Sequence, residues 1–245
     1  MKAVQIDRYA RAANASVRDV PMPETGEDEV LIKVKAAAVN PLEQLIMTGS
    51  VRLIQDYPMP LTLGNECSGV VAKVGRLVKR FKVGDAVYTR LPLRSIGALA
   101  EYVAVEQSAV ARMPAGYEFA TAAAIPLTGL TAWQGLTEIL QARPGGSGSF
   151  GQMAVPITRA LGLNVIVSGK ARARDSMSAA GATRYLDYRK ENYWELLTNV
   201  DYVIDALGAG EFERELSVLK PGGRLLSLRT GPNREFAARS GFPPL

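Results

Sequence analysis

The hydrophobic and polar positions of this 245-residue chain follow two patterns, and the change between them lies near residue 120. Before that point, short segments alternate: in EVLIKVKAAAV (residues 29–39), Val30, Ile32 and Val34 share one face of a strand. CSGVVAKVG and AEYVAVE are similarly short and β-branched, and proline- and glycine-containing turns separate such segments. The pattern predicts an antiparallel, β-rich domain over residues 1–120, with partly barrel-like closure.

From residue 121 to residue 245, apolar runs of strand length alternate with stretches of helical spacing. NVIVSG is followed by RARDSMSAAGA, RYLDY by ENYWELLTN, and DYVIDAL by GEFERELSVL; GGRLLSLRT comes last. Buried strands that alternate with helices are typical of a parallel sheet covered by helices on both faces. The chain as a whole is therefore predicted to be an α/β protein with two domains.

A glycine-rich segment, RPGGSGSFGQ, lies at the start of this second domain. Gly146, Gly148 and Gly151 form a G-x-G-x-x-G, the turn that holds a dinucleotide's pyrophosphate when a strand leads directly into it. Here the preceding TAWQGLTEILQARP has helical spacing and ends in proline, so the strand is missing. LTEILQA could give up its helix to supply that strand. In the helix predicted after the glycines, Pro156 is expected to cause a kink.

Composition narrows the possible chemistry. The chain has no histidine and one cysteine, Cys67, so a conventional zinc site, a Ser-His-Asp triad and a disulfide framework are all excluded. The net charge of +5 comes from dispersed lysines and arginines rather than a block, which argues against nucleic acid as a partner. We find no signal peptide and no apolar run long enough for a membrane span, and expect a cytoplasmic protein.

Six motifs follow one another along the chain in the same order as in a known protein family. They are LGNECSGVVAKVG (63–75), FKVGDAVYT (81–89), GALAEYVAV (97–105), AAAIPLTGLTAW (122–133), GGSGSFGQ and DALGAGEFERELSVLKPGGRLLSLRTG. The chain resembles, over essentially its whole length, the zinc-independent, quinone oxidoreductase-like branch of the medium-chain dehydrogenase/reductase superfamily. The resemblance implies a GroES-like β-rich domain followed by a Rossmann-type domain.

The resemblance also bears on metal binding. Zinc-dependent members carry a histidine ligand in G-H-E-x-x-G, and the matching stretch here has Asn65 in its place. The four-cysteine structural zinc loop is absent as well, so no metal is expected. Glu66 could serve as an acid, although a structural anchor is the more common role of such a carboxylate.

Two residues match positions at the nicotinamide pocket of this branch. Asn40 could hydrogen-bond substrate or cofactor, or Asn40-Pro41 could simply end a strand with a turn. Thr128 matches a position near the nicotinamide ring, or it could cap a helix. These two are the candidate catalytic residues.

The candidate cofactor site continues beyond the glycines. NAD-preferring Rossmann domains usually end the second strand with an acidic residue, but NVIVSG leads into KARAR, which offers cations where a 2′-phosphate would lie. The alternative is a basic, solvated helix start. Tyr188 matches a residue that packs near the adenosine phosphate, or it is only half-buried. NADPH is the expected cofactor, and the candidate residues are Gly146, Gly148, Ser149, Phe150, Gly151, Ser168, Gly169, Lys170, Arg172, Tyr188, Leu207 and Gly208.

Two segments expected from the resemblance are missing. Arg143-Pro144 passes directly to Gly145 where relatives have the first Rossmann strand, and the chain stops where relatives supply the last strand and dimer contacts. Either the deletions are natural or residues are omitted. A homodimer is expected if the C-terminal part is present.

The sequence thus predicts a zinc-free NADPH-dependent oxidoreductase that transfers hydride to a quinone or an α,β-unsaturated carbonyl. The alternative is a catalytically silent relative that binds NADPH or RNA. Thermal stabilisation by NADPH with turnover favours the first, and binding without turnover favours the second.

Overall fold

A computed structural model describes residues 1–11, 15–143, 147–149, 153–206 and 210–228, with only the backbone described for 147–149. The chain forms two compact units, Met1–Leu127 and Thr128–Leu245. The boundary lies a few residues beyond the expected one, inside a helix that starts at Pro126. Within the described ranges, no helix is both long and apolar enough to cross a membrane.

The first unit consists of antiparallel strands, as its alternating pattern predicts. The strands form two sheets, of order β2-β1-β4 and β7-β3-β5-β6-β8 among the described residues, and a bridge joins Ala3 to Ala100. The elements are β1 (Lys2–Ile6), β2 (Ser16–Asp19), β3 (Glu29–Ala37), α1 (Pro41–Met47), β4 (Leu61–Thr62), β5 (Glu66–Val74), β6 (Ala86–Arg90), β7 (Tyr102–Glu106), β8 (Val110–Arg112) and α2 (Phe119–Ala123).

The core of this unit is built on the central strands β3 and β5. Val30 and Ile32 of β3 are fully buried and pack with Cys67 of β5, while Lys33 is exposed. Leu31, on the opposite face, is buried too, so buried and exposed positions alternate only from Ile32 onwards. Burial and the neighbouring carboxylate of Glu66 raise the pKa of the Cys67 thiol to about 12. Cys67 is therefore a protonated, apolar core residue.

The second unit has the predicted α/β arrangement. Its elements are α3 (Pro126–Gln134), a π-helical turn (Gly135–Ile139), β9 (Ser147–Ser149), α4 (Ala154–Ala160), β10 (Asn164–Gly169), a 3-10 turn (Ala171–Ala173), α5 (Arg174–Ala179), β11 (Arg184–Asp187), α6 (Tyr193–Leu196), β12 (Val200–Asp205), α7 (Phe212–Val218) and β13 (Leu219–Ser227). Val165 and Val167 of β10 pack with α4 and α5, whereas Val203 of β12 packs with α6 and α7. Helices therefore cover both faces of the sheet.

The sheet of this unit is parallel and has the order β11-β10-β9-β12-β13 among the described residues. The central position, which we expected to be vacant, is occupied by Ser147–Ser149 from the glycine-rich segment itself. Gly148 pairs with Val165 of β10 and also with Tyr202 of β12. An empty position would leave buried backbone groups of both neighbours unpaired, at about 1–3 kcal/mol each. Even a three-residue strand without apolar side chains relieves much of that cost.

Two further expectations about this region are resolved. LTEILQA does not become the missing strand: Leu136 to Ile139 lie in the π-helical turn, and Leu136 and Leu140 are buried against Ile204. Pro156 was expected to kink the next helix, but α4 begins at Ala154, which places the proline in the first turn. Backbone N–H groups there have no partner within the helix, so proline causes no break.

Candidate functional site

In the first unit, Asn40 is held at the point where β3 ends and α1 begins. Asn40 is the residue before the helix, and Pro41 occupies its first position, where the fixed φ of proline suits a helix. The backbone N–H of Asn40 donates to Oε2 of Glu43 at 2.6 Å. Glu43 is only 3% exposed, so this hydrogen bond is shielded from water. The backbone around Asn40 is therefore fixed by a carboxylate one turn along α1.

The other oxygen of Glu43 binds Asn65. Its Oε1 accepts the backbone N–H of Asn65 at 3.1 Å and the side-chain Nδ2 at 2.5 Å. Zinc does not fit here: Asn65 stands where zinc-dependent members have histidine, its amide nitrogen is a donor engaged with Glu43, and the adjacent Cys67 is a buried thiol. These side chains form a hydrogen-bonded network instead of a ligand set.

The side chain of Asn40 is fixed by a second buried carboxylate, that of Glu66. Oε1 of Glu66 accepts Nδ2 of Asn40 at 2.8 Å, and Oε2 accepts the backbone N–H of Leu127 at 2.6 Å. Burial raises the pKa of Glu66, while the two donors oppose that shift. Because both its oxygens are engaged, Glu66 has the geometry of the structural anchor considered above. Its partner Leu127 directly precedes Thr128, the third residue of α3.

In the second unit, the carboxyl end of β10 presents Ser168, Gly169 and Lys170. The hydroxyl of Tyr185, on the neighbouring β11, donates to the carbonyl oxygen of Lys170 at 2.6 Å. A Cβ on Gly169 would lie 2.3 Å from that hydroxyl oxygen, so only glycine lets the tyrosine approach. Ser168 and Lys170 are exposed beside this fixed turn.

The cations that follow β10 fall into two kinds. Arg174 is used structurally: its guanidinium donates to the carbonyl of Tyr185 at 3.2 Å, lies 5.1 Å from that ring's centroid, and is 3.7 Å from Glu191. Lys170 and Arg172 are exposed and pair with no carboxylate among the described residues. The described side chains here thus include a hydroxyl and two available cations, a donor set suited to a phosphate.

The remaining candidate residues are located as follows. Tyr188 directly follows β11 and is 48% exposed, and Gly148 and Ser149 lie in strand β9 rather than in a turn. Gly146, Phe150, Gly151, Leu207 and Gly208 lie outside the described residues. Asn40 belongs to the first unit and Thr128 to the second. Sequence reasoning missed Glu43, although Asn40-Pro41-Leu42-Glu43 has the spacing of a capping box, and it missed Tyr185.

Comparison with known families matches both units. The alcohol dehydrogenase GroES-like domain matches residues 26–115, and the zinc-binding dehydrogenase domain matches residues 150–237. The chain belongs to the medium-chain dehydrogenase/reductase superfamily. Its relatives within that superfamily place it in the quinone oxidoreductase-like branch.

Three members of this superfamily illustrate the similarity. The chain is 35% identical to the 2-methylene-furan-3-one reductase of Solanum lycopersicum and 34% identical to an NADPH-dependent alkenal/one oxidoreductase, chloroplastic, of Arabidopsis thaliana. Each match covers 91% of this chain but only 61% of the relative, so the chain spans about three fifths of their length. The solved Escherichia coli quinone oxidoreductase complexed with NADPH is 26% identical, with a TM-score of 0.83 over 98% of this chain and 78% of that one.

Proposed function

We propose that the protein is an NADPH-dependent, zinc-free reductase that transfers hydride to a quinone or an α,β-unsaturated carbonyl. The reductases named above support the substrate class, and the chemistry of the described side chains supports the cofactor. Bound NADPH supplies the hydride, so the protein's own contribution is to bind, orient and exclude water.

The two units contribute different parts of that task. Asn40 would orient the nicotinamide or the substrate carbonyl through its side-chain amide. Glu66 holds that side chain, and Glu43 holds the backbone of Asn40. A side chain locked in this manner loses little conformational entropy when a ligand binds. Thr128, near the start of α3 in the second unit, would contact the nicotinamide ring.

The observation that carries the proposal is the pair of cations after β10. Where an NAD-binding domain would present a carboxylate to the ribose hydroxyls, this chain presents Ser168, Lys170 and Arg172. A carboxylate would repel a 2′-phosphate, whereas a guanidinium can pair with it through two hydrogen bonds. Selection of NADPH over NADH is therefore assigned to Lys170 and Arg172, and not to Arg174, whose guanidinium already binds Tyr185.

The test is a comparison of NADPH and NADH in binding and turnover. Oxidation of each would be followed with 1,4-benzoquinone and with trans-2-hexenal, and dissociation constants would be measured by titration calorimetry. Lys170→Ala and Arg172→Ala should each weaken NADPH binding about tenfold while changing NADH binding less than twofold, because only NADPH carries the 2′-phosphate. Arg184→Ala, at the opposite end of β11, is the matched control and should change neither.

Two results would count against the proposal. Equal affinities of the unchanged protein for NADPH and NADH would refute the 2′-phosphate assignment. Tight NADPH binding without oxidation by any quinone or enone would identify the catalytically silent alternative.

A further inference from the structure

A cavity of about 390 Å³ lies within the second unit, between the sheet and helices α6 and α7. Its floor is formed by side chains of β10, β11 and β12, including Ile166, Leu186 and Val203. Ser168 and Tyr188 also line it, but most of its lining residues have no role in the proposed function. We call it the α6–α7 cavity; its lining includes Ile166, Leu186, Leu197, Val200, Val203, Glu215 and Val218.

The lining on the helix side is aromatic and charged. The rings of Tyr193 and Trp194 pack edge to face, with centroids 5.1 Å apart. The guanidinium of Arg214 lies 4.1 Å from the centroid of Trp194 and pairs with Glu211 at 3.0 Å.

One oxygen of a buried carboxyl group in the cavity lacks a hydrogen-bond partner among the described residues. Glu215 of α7 is only 5% exposed, and its Oε2 has no hydrogen-bond partner among the described residues. The same carboxyl group hydrogen-bonds to Asp205, and Asp205 in turn accepts a hydrogen bond from the Ser227 hydroxyl at 2.6 Å. Burial, followed by the charge of Asp205, raises the pKa of Glu215 to about 8. An unpartnered oxygen in an apolar site is a strong position for a ligand's donor group.

The size and lining of the cavity define the class of ligand. An apolar cavity of about 150 Å³ accepts benzene, so this one accommodates two fused rings, and its volume is within the usual range for small-molecule sites. The residues around Glu215 that would contact the rings, such as Ile166, Leu186 and Val203, are apolar, so a second polar group lying on them would be buried without a partner.

We propose that the α6–α7 cavity is a binding site for a neutral aromatic alcohol of the phenol or naphthol class, whose hydroxyl donates to Oε2 of Glu215. The rings would lie on Ile166, Leu186 and Val203, which have no assigned role in NADPH binding, although Ser168 and Tyr188 border the same cavity. The proposal does not depend on the proposed enzymatic function.

The test compares 2-naphthol with 2-methoxynaphthalene, which has the same rings but no donor. Affinities would be measured by equilibrium dialysis on the full chain. The unchanged protein should prefer 2-naphthol by about tenfold, the effect of one hydrogen bond to a charged or strongly polar acceptor. Glu215→Leu should remove the preference, while Glu213→Leu, at an exposed position on the same helix, should preserve it.

A second variant tests the location independently of the hydrogen bond. Val218→Phe places a ring in the cavity and should reduce the affinity for both compounds at least tenfold. Thermal unfolding confirms that each variant is folded. An unchanged preference in Glu215→Leu, or unchanged affinity in Val218→Phe, would show that naphthol binds elsewhere and would overturn the proposal.

Discussion

The buried pair of Glu215 and Asp205 makes a quantitative prediction about pH. The pKa of Glu215 is about 8 in the folded protein and about 4.5 in an unfolded chain, because burial and the charges of Asp205 and Glu211 disfavour ionisation. A folded-state pKa above the unfolded value means that this group's contribution to stability is fully present below pH of about 4.5 and is lost as pH rises towards 8. Linkage gives a loss of roughly 3 to 4 kcal/mol between pH 5 and pH 8.

The perturbation that isolates this effect is Glu215→Gln, which keeps the shape of the side chain and removes its titration. Urea unfolding at constant ionic strength, followed by tryptophan fluorescence, would be measured from pH 5 to pH 8. Trp194 lies beside the cavity, so Trp133→Phe is included in every variant to make it the only tryptophan. The unfolding free energy of the parent minus that of Glu215→Gln should fall by roughly 3 to 4 kcal/mol across this range.

The matched control is Glu213→Gln, which changes an exposed carboxylate on the same helix. For this variant the difference from the parent should stay within about 0.5 kcal/mol at every pH. If the Glu215→Gln difference is equally flat, Glu215 does not titrate above its ordinary range and the reasoning is wrong.

Three other predictions follow from contacts described above. Gly169→Ala should lower the free energy of unfolding by about 1–3 kcal/mol, because the added Cβ meets the Tyr185 hydroxyl. Adding Tyr185→Phe should recover part of the lost stability in thermal unfolding, and no recovery would contradict the steric explanation. Gly148→Pro should lower the free energy of unfolding by about 3 kcal/mol or more and remove hydrogen-exchange protection in β10 and β12, since proline has no N–H to donate to the sheet. Intact protection would show that β9 is dispensable. Glu43→Gln places an amide NH2 against donors from Asn40 and Asn65, so it should lower kcat and reduce the free energy of unfolding by about 2 kcal/mol. The control Glu106→Gln, at an exposed position, should change neither quantity.

The sequence predicts most of the fold because its strands are marked by local patterns. β3 alternates from Ile32 onwards, and β10 to β12 are apolar runs flanked by helical spacing. Strand β9 has no such pattern: Ser147-Gly148-Ser149 becomes a strand because β10 and β12 each present a backbone edge that needs a partner. That requirement arises only after the sheet has assembled, so no local reading of the glycines reveals it.

The candidate site divides in the same manner. The chemistry of Ser168, Lys170 and Arg172 can be read from neighbouring letters, but the separate role of Arg174 depends on Tyr185 and Glu191, which come from the next strand and the loop after it. Glu43 is visible as a helix cap, yet its bond to Asn65 spans 22 residues. Long-range hydrogen bonds thus decide which polar residues are free to bind a ligand and which maintain the structure.

The burial of the chain's single cysteine has a practical consequence. A thiol reagent reacts with the thiolate, and the Cys67 thiol is inaccessible and has a pKa of about 12. A cysteine introduced on the surface would therefore be labelled selectively in the folded protein without removing the native one. Cys67 itself would react only when the first unit opens, while Trp194 reports on the second. Thiol labelling of Cys67 and the fluorescence of Trp194 therefore measure the unfolding rates of the two units separately.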